Sequence, residues 1–146
     1  MKSALRLMRS VFSETPLELN SKLSNTQGAR ILLKREDLGL VRSYKLRGAL
    51  NKMASLVSSN PVITCSAGNH AQGLALAAKH FGIACEIYVP KGASLSKIAA
   101  TKHHGATVLE GGDNVDTAIA AAKLRAAETG MTFCHPFDDA DVVAGQ

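Results

Sequence analysis

From Ala29 onward the chain alternates short β-branched runs with alanine-rich segments of helical period. That alternation constrains the fold more than any other feature, because successive strand–helix units bury their apolar faces as a parallel sheet covered by helices. The expected strands are residues 30–34, 62–65, 84–89, 107–110 and 132–134. The fold class is therefore α/β, a parallel sheet with helices on both faces.

The helices between these strands have marked edges. One begins near Ser43, a good N-cap, and places Leu46, Ala49, Leu50 and Met53 at the i, i+3, i+4, i+7 spacing of a buried face. A second runs over 69–80 with Ala71, Leu74, Ala75 and Ala78 on one stripe and ends before Gly82. A third starts at Ser94 and stops at Gly105, preceded by His103 and His104, where cations suit a helix C-terminus. The fourth takes Asp113 as N-cap, turns Val115, Ala118, Ile119 and Ala122 inward, and closes at Gly130. Residues 137–146 open toward a further helix and then stop, which reads as a truncation.

Composition removes several classes of function. At 146 residues with 46% hydrophobic and 20% charged residues, the chain can bury a core and is neither disordered nor fibrous. The net charge of +5 is spread along the sequence, Trp is absent and aromatics make up 4%, so stacking platforms for nucleic acid are scarce. No apolar run approaches the ~20 residues of a membrane span, and the charged start lacks the apolar core of an export signal. Cys65, Cys85 and Cys134 are odd in number and widely spaced, as buried thiols in a reducing cytosolic compartment would be.

Two segments are placed for chemistry. In Ser43-Tyr44-Lys45-Leu46-Arg47-Gly48 a lysine sits in the first turn of a helix, where the positive dipole end and an apolar wall disfavour its ammonium. Its commoner role would be a solvated surface lysine. In Ser66-Ala67-Gly68-Asn69-His70-Ala71-Gln72-Gly73 a glycine turn joins a strand to a helix and presents free backbone N–H groups to an anion. The Gly68 to Gly73 spacing starts like a P-loop, yet Leu74-Ala75 stands where Lys-Ser/Thr is required, and no G-x-G-x-x-G occurs. His70 taken alone reads as a core or cap histidine. Asp138, Asp139 and Asp141 read as a solvated loop, and Cys134-His135 lacks the second pair of a zinc site, so no metal is expected.

These two segments, followed by His135-Pro136-Phe137-Asp138-Asp139, match in order and spacing the threonine dehydratase family of pyridoxal-phosphate enzymes. The resemblance reaches from about Thr15, through Leu33-Lys34-Arg35-Glu36-Asp37, to Gln146. It implies the small domain plus the start of the large domain of the tryptophan synthase beta-like pyridoxal-phosphate fold. Residues 1–54 would belong to the large domain, 55–140 to the small α/β domain, and 141–146 to the return. The implied cofactor is pyridoxal 5'-phosphate, and Lys45 would bind it covalently and then act on the Cα proton. Tyr44 would pack near the cofactor ring and Asn69 would hydrogen-bond its hydroxyl. The N–H groups of Ser66, Ala67, Gly68, Asn69 and His70 would hold the substrate carboxylate.

The implied activity is dehydration and deamination of L-threonine, or L-serine, to a 2-oxo acid and ammonia. The family's glycine-rich phosphate loop lies past residue 146, so the resemblance implies an incomplete catalytic fragment, inactive by itself. Serine racemases, which also resemble the chain, carry a serine where this sequence has Ala67. Beyond the amino-acid substrate, the implied partners are a second copy of the chain or a complementing second-half polypeptide. The rival reading is a non-catalytic α/β remnant that binds at most a carboxylate or a partner.

Overall fold

The computed structural model describes residues 2–56 and 60–146. In chain order its first elements are α1 (Lys2–Val11), β1 (Leu17–Leu19), α2 (Ser21–Gln27), β2 (Leu32–Lys34), a 3-10 turn (Glu36–Leu38) and α3 (Lys45–Ser55). There follow β3 (Val62–Cys65), α4 (Asn69–Phe81), β4 (Cys85–Val89), α5 (Leu95–His103), β5 (Thr107–Glu110), α6 (Val115–Thr129), β6 (Thr132–Phe133) and α7 (Ala140–Gly145).

The last four strands form one parallel sheet in the order β5-β4-β3-β6. Central β3 reads Val-Ile-Thr-Cys and is buried along its whole length, as a strand covered on both faces must be. Val62 packs with Cys85, Ile87 and Val89 of β4 against Leu74, Ala75 and Ala78 of α4. On the opposite face Ile63 and Cys65 meet Ala118, Ala122 and Ala126 of α6. Outside α4 lies α3, whose Leu46, Leu50 and Met53 join the same core as Val62 and Leu74. Met53 and Val62, on either side of residues 54 and 55, thus share one buried cluster. A Cβ on Gly48 would lie 2.6 Å from the carbonyl of Val142, and one on Gly145 2.8 Å from Gly48 Cα, so α3 and α7 meet backbone to backbone.

Several expectations are corrected. Residues 30–34 do not extend the parallel sheet: β2 pairs antiparallel with β1, and both strands are exposed throughout. Elements α1, β1 and α2 lie in a stretch that periodicity left without structure, and α1 docks by buried Ala4 and Met8 with Leu7 and Val11 packed against the main core. Asp113 does not cap α6; Asn114 does, accepting from Thr117 N at 3.0 Å while Thr117 Oγ1 accepts from Asn114 N at 3.1 Å. Asp113 instead pairs with Lys91 on the surface. Val115, expected inward, is 57% exposed, because the apolar stripe of α6 begins only at Ala118. Helix α3 starts at Lys45 after Tyr44, and Ser43 Oγ accepts only a long bond of 3.4 Å from Lys45 N.

Candidate functional site

The chain leaves β3 through α4 to reach β4 on one side, and returns through α6 to place β6 on the other. Strand order reverses there, and in open α/β sheets ligands bind in the crevice at the carboxyl ends of the strands flanking such a point. Ser66 follows β3 at this crevice and Cys134 follows β6. Both segments singled out in the sequence converge on it.

Lys45 is brought there by helix packing. A Cβ on Gly73 would lie 3.1 Å from Lys45 C and 3.1 Å from Leu46 N, so only glycine lets the first turn of α3 lie against α4. The Lys45 side chain then reaches the loop after β6, where Nζ donates to Pro136 O at 2.9 Å. The amine also stands 5.2 Å from the centre of the half-exposed Tyr44 ring. The chain enters α3 through Arg42, whose φ of 53° puts a non-glycine residue in the left-handed region.

One turn along, Arg47 anchors the same helix end to the amino-terminal segment. Its Nε and Nη2 donate to Glu36 Oε2 and Oε1 at 2.8 and 2.7 Å, and Glu36 Oε1 also accepts from Thr15 Oγ1. The pair is largely covered, and the Arg47 guanidinium holds the Glu36 carboxyl below the usual carboxylate range against the upward push of burial.

The amino end of α4 supplies the anion-binding part. Gly68 is its N-cap and no side chain caps the helix. Of the five N–H groups expected to cradle a carboxylate, Ser66 N donates to Tyr88 O at 3.0 Å and extends the sheet. Gly68 N donates to Ser66 Oγ at 3.2 Å. The N–H groups of Ala67, Asn69 and His70 have no protein acceptor among the described residues. They point out of the positive end of a helix dipole. The Asn69 side chain is exposed and makes no hydrogen bond to the described residues.

His70 is buried to 3% exposure, and neither ring nitrogen has a hydrogen-bond partner among the described residues. Burial first, and then the Lys45 charge, lower its pKa to about 4, so the imidazole is neutral near pH 7. The backbone carbonyl of Cys134 near the ring partly offsets that lowering, although it makes no hydrogen bond of good geometry to either ring nitrogen and accepts from Thr64 Oγ1 at 2.6 Å.

The loop after β6 is built to hold the Pro136 carbonyl still. His135 Nδ1 accepts from Asp138 N at 2.8 Å and Phe137 N at 3.3 Å, and its ring meets Phe137 edge-on. Asp139 caps α7, with Oδ1 accepting from Asp141 N and Val142 N, while its other oxygen pairs with Lys52 at 2.8 Å. Lys52 also reaches Asp141 at 3.2 Å. Of the acidic residues expected in a solvated loop, Asp138 is exposed and Asp141 partly so, while Asp139 is instead a helix cap in a covered ion pair with Lys52. Cys85 and Cys134 are buried and their thiols are pushed up to about 12, mainly by burial, which leaves them protonated and unreactive.

The site thus offers a primary amine with one hydrogen-bond acceptor, an uncapped helix N-terminus and an exposed amide in one crevice. An aldehyde cofactor with a ring hydroxyl, bound beside a carboxylate, fits this donor set. The chain belongs to the pyridoxal-phosphate dependent enzyme family, whose model matches residues 9–146.

Within that family the similarity is to threonine dehydratases. The chain is 50% identical over 136 residues to the biosynthetic, chloroplastic threonine dehydratase of Arabidopsis thaliana, matching 91% of this chain and 23% of that protein. It is 45% identical to the L-threonine ammonia-lyase of Thermotoga maritima, over 100% of this chain and 37% of that one. The processed form of threonine deaminase isoform 2 from Solanum lycopersicum superposes with a TM-score of 0.86 at 40% identity, covering 91% of this chain and 38% of that one. The chain thus spans between about a quarter and two fifths of each of these relatives.

Three contributors were not legible as such: the Pro136 carbonyl, the Gly73 contact and the Arg47–Glu36 pair. The His135-Pro136 motif and the Gly73 position were visible, but their roles depend on residues far away in sequence. No helix among the described residues is long and apolar enough to cross a membrane.

Proposed function

We propose that this chain carries the cofactor lysine and the carboxylate cradle of a pyridoxal-phosphate dependent ammonia-lyase acting on L-threonine. The observation that carries this reading is the Lys45 amine at the switch-point crevice, beside the uncapped start of α4. Lys45 holds the cofactor through its ε-amine, and the amine, once released, takes the Cα proton. Ala67, Asn69 and His70 receive the substrate carboxylate through their backbone N–H groups, with the Ser66 hydroxyl and Gly68 turn shaping the cradle. Asn69 hydrogen-bonds the cofactor ring hydroxyl and Tyr44 lies along the ring. The cofactor, when bound, supplies the electron sink that makes the Cα proton removable.

The products are 2-oxobutanoate and ammonia, or pyruvate and ammonia from L-serine. Racemisation needs a second proton carrier on the face opposite Lys45, and Ala67 has no exchangeable proton, which favours elimination. The rest of the site is assigned to polypeptide of the kind present in the longer relatives, supplied in the same chain or as a separate piece. Three buried thiols fit a reducing compartment, of which the cytoplasm is one.

The test joins residues 1–146 to the remaining sequence of the Thermotoga maritima relative and measures 2-oxobutanoate formed from L-threonine. Turnover should appear in the chimera, vanish in Lys45→Ala and persist when exposed Lys22 is changed to Ala. Turnover that survives Lys45→Ala would overturn the reading. With L-serine the chimera should form pyruvate and little D-serine, and Ala67→Ser should raise the D-serine share.

A further inference from the structure

His70 is the buried polar side chain of this crevice that the reading above leaves without a task. Its two ring nitrogens are shut off from solvent without a hydrogen-bond partner among the described residues, an arrangement that costs free energy unless a polar atom visits them. Its place on α4 shows where such an atom would come from. His70 lies one turn before Gly73, and residues three apart share a helix face. Gly73 is the position that abuts the backbone of Lys45 and Leu46, so the face bearing His70 looks toward the start of α3.

The charged and titratable groups acting on the ring agree with this placement. They are Lys45 from α3, and His135 and Asp139 from the loop after β6, while Cys134 of that loop acts on the ring only through its backbone carbonyl. Lys45 is the strongest of these charges and the only one on α3. Its ammonium has three N–H groups, and the structure gives it one hydrogen-bond acceptor, Pro136 O.

We propose that His70 is a positioning residue for Lys45, one imidazole nitrogen accepting a hydrogen bond from the ε-ammonium whenever the side chain turns off the Pro136 carbonyl. The amine then has two resting points on one wall of the crevice, a carbonyl oxygen and an imidazole lone pair. Both keep it at the mouth of the α4 N-terminus. A neutral ring is required, because an imidazolium has no lone pair and would repel the amine. The inference deepens the proposed site and rests, in its functional consequence, on Lys45 being the cofactor-bearing amine.

The test has two arms on the 146-residue chain. The first records imidazole nitrogen resonances of the parent and of Lys45→Met, which keeps the length of the side chain and removes its donors. The acceptor nitrogen of His70 should be displaced upfield in the parent and return toward the free lone-pair position in Lys45→Met. An identical resonance in both chains overturns the proposal and leaves His70 a core histidine.

The second arm incubates the chain with pyridoxal 5'-phosphate, traps adducts with borohydride and follows modification of Lys45 by mass spectrometry. His70→Leu, which fills the same space without an acceptor, should slow modification about fivefold, the size of one modest hydrogen bond. His70→Gln, which restores an acceptor, should recover most of the loss. Equal rates for Leu and Gln overturn the proposal. If the parent chain forms no adduct on Lys45, the cofactor reading fails instead, and the nitrogen resonances still decide whether His70 receives the amine.

Discussion

Lys45 Nζ and Pro136 O are 2.9 Å apart, although 91 positions separate the two residues in the chain. The contact joins the first turn of α3 to the loop beyond β6 and closes one side of the crevice left where strand order reverses. An amine held by a neutral carbonyl, rather than by a carboxylate, keeps its reach toward a ligand because no ion pair has to be broken.

Gly73 should prove indispensable for a reason opposite to helix propensity. Replacing glycine by alanine inside a helix normally stabilises by about 1 kcal/mol. Here the added methyl would lie 3.1 Å from Lys45 C and Leu46 N. Gly73→Ala should therefore lower stability by about 1–3 kcal/mol, as overpacking does, and slow trapping of pyridoxal phosphate on Lys45. Urea midpoints and adduct yields would check it; a stabilised variant with full adduct yield would show that α3 can move away freely.

The Arg47–Glu36 pair should hold α3 to the amino-terminal segment. Arg47→Leu leaves a largely covered carboxylate with Thr15 alone as hydrogen-bond donor, and should cost about 2–3 kcal/mol at pH 7. The sign of its pH dependence follows from the lowered Glu36 pKa. Stability from this pair is present above the unfolded glutamate value near 4.5 and is lost as pH falls through the lower folded value. Denaturation curves at pH 7 and pH 3 should show the difference between parent and variant shrinking in acid.

His70 makes the opposite partner to a salt-bridged group. Its pKa falls from 6.5 to about 4 on folding, so the unfolded chain binds the proton more tightly. Stability should be full above pH 6.5 and decline as pH falls toward 4, by about 2 kcal/mol between pH 7 and 5. His70→Leu should remove that part of the slope while keeping or raising stability at pH 7, since two unpaired buried nitrogens disappear. An unchanged slope in the variant would place the titration elsewhere.

The parallel sheet was readable because its signal is local. Val62–Cys65 is a β-branched or apolar run, Cys85–Val89 alternates buried apolar residues with Glu86 and Tyr88, and α4 and α6 carry clean alanine stripes that end at Gly82 and Gly130. Residues 2–34 were less readable because β1 and β2 are short, exposed on every residue and paired only with each other. Asp113 and Asn114 are equally good caps by type, and only the reciprocal bond with Thr117 distinguishes them. At the site, Lys45 and the 66–73 turn could be placed from motif and helix position. The acceptor for Lys45 could not, since a backbone carbonyl at position 136 leaves no mark of its role in side-chain chemistry. Nor could the engagement of Ser66 N by Tyr88 O, which depends on strand register.

The central claim is that Lys45 is the amine that carries the cofactor. Borohydride trapping of pyridoxal 5'-phosphate on the 146-residue chain, followed by peptide mapping, tests it most directly. The adduct should fall on Lys45 in preference to exposed Lys22, Lys97 and Lys102, and should be absent from that peptide in Lys45→Ala. Label spread over the exposed lysines with Lys45 unmodified would contradict it.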